Sequence, residues 1–470
     1  MEIRTPFGSR DGRRAAPTTE QAPLRERLPA LALAVYVPTT ALLYAFQGLW
    51  RGAGTALYAL TGLAALAVCV ACVWQKRLYR GADALLLLFM PVCALVSAAL
   101  NFGLSLSLSI LTPRFFVVWA VLLSLYFALR VAPDPDRLIG LFAAASVLGL
   151  SLLCLLVLFR ATASLFPEIP GHDLSLGCFQ LGRLCGLNNA NIFAFSCTAL
   201  LLLSAYAFLR AAGRRRVIFA LGGCIGWFTL GLTNCRTCIL GVAFCVGLLV
   251  FSALLHRRVD KGRAWLRVPA AAALGALAAA LCMASLYLPP ILYRGGLTLF
   301  GRLAHRPYLL NNLAALQPRG IIGDSGTVTD RIDIWRRVLE DVGKTPLRTW
   351  LGVSHLNNDA IGGVYAGHHE ISTPHAHNTY LEMLRRFGLI GFALLMTSAG
   401  RWCAAGLRCL RSPSERIPAR CLAAAAAGIA LMGLPEQVPF PFSTTCSLSL
   451  PFFAICGYLM NLRRRSHEME

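Results

Sequence analysis

Residues 138–159 read LIGLFAAASVLGLSLLCLLVLF, a run without a charge that Arg137 and Arg160 bracket. As a helix it rises about 33 Å, enough to cross a hydrocarbon core of roughly 30 Å. The run is not isolated. Similar apolar stretches lie near 28–47, 54–74, 84–102, 115–129, 192–209, 217–232, 239–255, 268–288, 383–400, 421–434 and 446–462. Several fall short of the usual ~20 residues, so the reading is about twelve spans. The 470-residue chain is 57% hydrophobic and 14% charged, with mean hydropathy +0.62, too apolar for one soluble globule. The fold expected is an all-α polytopic membrane protein.

The net charge of +22 has a topological reading. Basic residues gather in alternate loops: Lys76, Arg77 and Arg80; Arg210 and Arg214 to Arg216; Arg257, Arg258, Lys261, Arg263 and Arg267; Arg401, Arg408, Arg411, Arg416 and Arg420. Arg463 to Arg465 and the Arg-rich N-terminus join the same side, whereas 435–445 carries no basic residue. The positive-inside rule then makes both termini cytoplasmic. No nucleic-acid partner is implied, and membrane lipids are the expected surroundings. Residues 1–27 read as a disordered basic cytoplasmic segment ahead of an uncleaved anchor, 28–288 as spans one to nine, and 289–377 as an outward loop domain carrying short helices. Residues 378–462 supply spans ten to twelve, and 463–470 a basic cytoplasmic tail.

Seventeen cysteines are an odd total, and most sit in apolar spans as small hydrophobes. Cys235 and Cys238 form a CxxC without a second pair, open to a redox, metal or plain packing reading. Cys178 and Cys185 share an outward loop and could pair in an oxidising compartment.

The polar chemistry gathers in 289–377, which holds six of the nine histidines, five of them between 355 and 377: His355, His368, His369, His375 and His377. DRIDIWRRVLEDVGKTP, residues 330–346, reads as an amphipathic helix with Ile332, Trp335, Val338 or Leu339, and Val342 on one face. Thr329 or Asp330 can cap its start, and Gly343 and Pro346 stop it. Arg331 then falls in the first turn, as a surface ion-pair partner or as part of an anion site with free backbone N–H groups. Arg236 in TNCRTCILG and Arg183 in GRLCGLNNANIFA are two further outward cations near the bilayer edge. An ionisable group there faces a polar cavity or snorkels to the interface.

STPHAHNTYLEMLRRFGLIG, residues 372–391, places His375, His377 and Asn378 just before an apolar helix. Thr379 with Glu382 resembles a capping box. A helix N-terminus disfavours imidazolium, and a neutral imidazole suits a general base. Metal ligation by His375 and His377, with His368 and His369, is one competing reading. Interfacial histidines satisfied by hydrogen bonds are the other.

HNTYLEMLRRFGLIG has the form His-Asn, nine residues, Gly-x-x-Gly, and resembles the signature of the O-antigen ligase and O-antigen polymerase superfamily. TNCRTCILG resembles a Ser-Arg-type helix start with Cys235 in the Ser position, and DRIDIWRRVLEDVGKTPLRTWLGVS an Arg-x-x-x-Trp helix followed by Pro and a Gly turn. GRLCGLNNANIFA is similar to an Arg-x-x-Gly…Asn stretch, with Ala190 in place of Pro. The resemblance implies a GT-C-type glycosyltransferase of the bacterial cytoplasmic membrane. It would be metal-independent and inverting, need no cofactor, and take a glycan from undecaprenyl diphosphate to a lipid or glycan acceptor. By position, Arg236 and Arg331 would hold the diphosphate and His377 would activate the acceptor hydroxyl. Asn378 would orient His377 or the substrate, and Arg183, His375 and Trp335 would join the substrate-binding set.

The intact His-Asn-x9-Gly-x-x-Gly pattern favours ligase-like transfer, with lipid-linked polymerisation as the alternative. A transporter of twelve spans is a further reading, but transporters keep polar groups at the midplane, and here they collect outside. A non-catalytic scaffold would leave the Arg, Arg, His trio unexplained.

Overall fold

The computed structural model describes residues 24–45, 54–75, 90–101, 111–166, 178–180, 182–186, 189–255, 267–315, 327–354, 361–366, 369–373, 376–412, 415–438 and 447–469. Twelve helices overlap the twelve apolar runs. They are α1 (Leu24–Ala45), α2 (Gly54–Gln75), α3 (Met90–Asn101), α4 (Leu111–Val131), α5 (Pro135–Ala163), α6 (Ala190–Arg210), α7 (Arg215–Thr233), α8 (Arg236–Leu255), α9 (Arg267–Ser285), α14 (Thr379–Arg411), α15 (Ile417–Met432) and α16 (Ser449–Met469). Among the described residues, six helical segments are long and apolar enough to cross a membrane by length and composition.

Between α9 and α14 lie α10 (Leu288–Leu303), α11 (Pro307–Ala315), α12 (Thr327–Gly343), α13 (Pro346–Leu351) and an antiparallel hairpin of β3 (Ile361–Ala366) and β4 (His369–Thr373). A second hairpin, β1 (Cys178–Gln180) and β2 (Arg183–Cys185), precedes α6 and makes Cys178 and Cys185 direct cross-strand partners. Neither hairpin is anticipated by the apolar pattern, because short strands carry little period-2 signal.

Aromatic packing centres the bundle. Trp119, Tyr126, Phe127, Phe142, Phe193 and Phe453 are fully or almost fully buried, and Trp402 meets Tyr126, Phe452 and Phe453 ring to ring. Small residues set the closest crossings. Gly247 of α8 faces Gly275 of α9, and Gly457 of α16 lies against the Tyr126 backbone, each too near for a side chain.

The basic loop residues converge on one end. Arg210 donates to the Asp136 carbonyl, Arg216 to Ala211 O at 2.7 Å, Arg420 to Ser412 O at 2.7 Å, and Arg465 to Pro133 O. Guanidinium groups thus bond backbone carbonyls at the helix junctions of this end. The other end carries the starts of α6, α8 and α14, the ends of α7 and α15, and α12.

Two expectations for α12 shift. It begins at Thr327, so Arg331 lies in the second turn and the N-terminal backbone donors are not its immediate partners. Its inward face is Ile334, Val338 and Val342, while Ile332 and Leu339 are 54% and 52% exposed. The spacing put Ile332 on the apolar face; Ala376 packing on Ile334 and Val338 turns Ile334 inward instead.

Candidate active site

The start of α14 organises the site. Asn378, not Thr379, is the N-cap: its Oδ1 accepts from the N–H groups of Tyr380 at 2.9 Å and Leu381 at 3.0 Å. Thr379 is the first helical residue, and its hydroxyl donates to the Glu436 and Val438 carbonyls at 3.0 and 2.9 Å. Glu382 reaches back past the cap, two residues beyond the N–H that a capping box engages, accepting from Ala376 N at 2.9 Å. The buried Arg386 pairs with the same carboxylate at 2.5 Å.

His377 precedes the cap with φ +47°, a left-handed conformation uncommon for a residue with a side chain. Both flanks hold it there. Ala376 is fixed by Glu382 on its N–H and by Trp335 Nε1 on its carbonyl at 3.0 Å. Asn378 is fixed by its cap, and Thr379 N donates to Gly433 O at 2.8 Å. Such a conformation costs on the order of 1 kcal/mol and persists where surrounding contacts impose it.

The turn after α15 supplies the central group, Glu436. Its Oε1 receives Arg331 Nη2 at 3.1 Å and Asn191 Nδ2 at 3.4 Å, and its Oε2 lies 3.8 Å from His377 Nδ1. Asn191 follows the α6 cap Asn189, whose side chain accepts from Ile192 N at 2.9 Å. Ala190 is the first residue of α6, where the missing N–H of a proline would do no harm. Arg183 on β2 extends the chain of contacts, donating to Asn191 Oδ1 at 2.5 Å and to Thr233 O at the α7 C-terminus at 2.7 Å. That carbonyl end attracts a cation.

Asn234 ends α7 in the left-handed conformation, which allows the abrupt turn into α8. Cys235 in that turn is buried and within electrostatic reach of Glu436 and Arg183. Arg236 is the first residue of α8, directly after it.

Five of the sequence-nominated residues therefore meet at one end of the bundle: Arg183, Arg331 and His377 through Asn191 and Glu436, and Trp335 and Asn378 as supports of the His377 segment. Arg236 stands one residue from Cys235, beside them. His375 lies outside the described residues. Glu436 and Asn191 were missed; a lone acid in the otherwise uncharged 435–445 stretch was the available signal for Glu436. Among the described residues no group of three or more His, Cys, Asp or Glu side chains is assembled.

Beside the site, an apolar groove of about 520 Å³ runs between α8, α9 and α15. Thr237, Leu240, Phe244, Met283, Leu431 and Pro435 line it, so its rim adjoins both Arg236 and Glu436 in sequence.

Residues 219–396 match the family model described as O-antigen ligase. This match supports the resemblance to the O-antigen ligase and polymerase superfamily. It spans Arg236, Arg331, Trp335, His377, Asn378, Gly388 and Gly391, and with the many apolar helices it makes the chain a multi-pass membrane protein. Arg183, Asn191 and Glu436 fall outside the matched residues. No curated protein matches the chain.

Proposed function

We propose that this protein is an O-antigen ligase-like glycosyltransferase on the outer face of the bacterial cytoplasmic membrane, with both termini in the cytoplasm. It transfers a glycan from undecaprenyl diphosphate to an acceptor hydroxyl, such as that of lipid A–core. The observation that carries this reading is the convergence of Arg331 and His377, from segments far apart in the chain, on one carboxylate beside Arg183. The apolar groove next to Arg236 and Glu436 supports a lipid-linked donor.

In this reading the diphosphate is held by Arg236 and Arg331, whose planar forks bind two oxygens and stay charged. The acceptor hydroxyl gives its proton to His377 as its oxygen bonds to the anomeric carbon from the face opposite the leaving group. The bond from that carbon to the phosphate oxygen breaks, and its electron pair leaves with the diphosphate. Negative charge grows on the leaving group during this step, so preorganised cations stabilise the transition state more than the ground state. Inversion follows from such a single displacement, and the two guanidinium groups supply the positive charge that would otherwise fall to a metal.

Deleting the gene tests the acceptor side. Loss of a ligase leaves long polymer stranded on undecaprenyl diphosphate. Single repeat units there or on the final acceptor, without stranded polymer, would mark a polymerase instead.

A further inference from the structure

We infer that Glu436 is a resident counter-ion of Arg331, that the donor's diphosphate displaces it, and that the freed carboxylate then serves His377. The inference rests on the transferase reading. Glu436 is then a positioning residue, acting through Arg331 and His377.

The geometry gives one carboxylate two clients. Oε1 is engaged by Arg331 at 3.1 Å, while Oε2 stops 3.8 Å from His377 Nδ1, beyond hydrogen-bond length. The carboxylate therefore holds the guanidinium and only approaches the imidazole. A phosphate must take the same guanidinium edge, and the Arg331 side chain, 26% exposed, is open enough to be reached. The Glu436 main chain stays in place, because its carbonyl accepts from both Thr379 N at 3.1 Å and Thr379 Oγ1 at 3.0 Å. Only the side chain has to swing, and a shift of about 1 Å brings Oε2 within bonding range of Nδ1.

Charge supplies the direction. A diphosphate on Arg331 and an ionised Glu436 repel at this separation in a partly buried site. When His377 accepts the acceptor's proton on its other ring nitrogen, the imidazolium presents Nδ1–H to the carboxylate, as a triad acid supports its histidine. The same anion thus guards the empty site and stabilises the charge formed during transfer.

The test uses the full-length protein in detergent, with Glu436→Gln and Glu436→Asp. Inorganic diphosphate binding is measured by calorimetry, and KM and kcat with the lipid-linked donor. Glu436→Gln keeps the shape and removes the competing charge, so diphosphate should bind roughly fivefold tighter or more, with lower KM. Its kcat should fall about 10-fold or more, with partial recovery in Glu436→Asp, which restores a carboxylate but holds it one methylene short of Arg331. Glu436→Asp also covers the case in which the glutamine variant does not fold, since it too should bind diphosphate more tightly. A strut would lose diphosphate binding and kcat together. Diphosphate affinity equal to or below wild type, no binding by any of the three proteins, or an unchanged kcat in Glu436→Gln each overturns the inference. Absent transfer by wild type, with the affinity order kept, would instead count against the transferase reading alone.

Discussion

His377 and Arg331 can be removed without hollowing the core: their side chains are 38% and 26% exposed. His377→Ala should therefore insert and fold normally while transfer falls by about 30- to 1,000-fold, the 2–4 kcal/mol range of a lost charge-stabilising or proton-accepting contact. Arg331→Lys should be strongly impaired as well, because an ammonium is a point charge without the bidentate fork. Rates of the purified variants on a lipid-linked donor decide this, and near-normal turnover by His377→Ala would remove it from the chemistry. His377 was legible as a residue type near a helix start. Its left-handed backbone was not, since that depends on Trp335 and Glu382 gripping Ala376 from either side.

At the scale of the element, the Gly-x-x-Gly pattern acquires a physical cause. Gly388 breaks α14 with φ +62°, and a Cβ there would strike the Trp350 backbone at the end of α13. The break frees the carbonyls of Arg385 and Arg386, which accept from Val353 N at 2.9 Å and Ser354 N at 3.0 Å. The α12–α13 segment is thereby bonded into α14, and with it Arg331 is carried towards His377. Gly388→Ala should cost about 3 kcal/mol or more, combining a left-handed alanine with backbone overlap. Gly296→Ala is the contrast: nothing lies within 4 Å of a Cβ at that position in α10, so it should be neutral or gain up to about 1 kcal/mol. Thermal unfolding of both variants in detergent measures the difference, and equal melting temperatures would refute the proposed docking role of Gly388.

For the whole molecule, the basic ends of α6, α14 and α16 gather at one pole and the Glu436 cluster lies at the other. Reporter fusions after residues 213, 262 and 412 should accordingly read cytoplasmic, and fusions after 175 and 340 external. A cytoplasmic reading at 340 would put Arg331 on the wrong side for a donor presented outside, and the proposed mechanism would end there.

The amino-acid sequence by itself determined the membrane class, the places of the long apolar helices and the polar segments that lie between them. Apolar run length, loop charge and the His-Asn and Arg motifs are local properties, readable without knowing what packs on what. Tertiary structure alone decided which face of α12 points inward, where its Arg331 finds a partner, and that Glu436 joins it to His377 and Asn191. Those outcomes depend on contacts between segments separated by 38 to 245 residues, from Val338 and Ala376 to Asn191 and Glu436. No periodicity or spacing rule spans such distances; the bundle brings the groups together because α6, α14 and α15 bury their apolar faces on one another and leave their polar ends at a common pole.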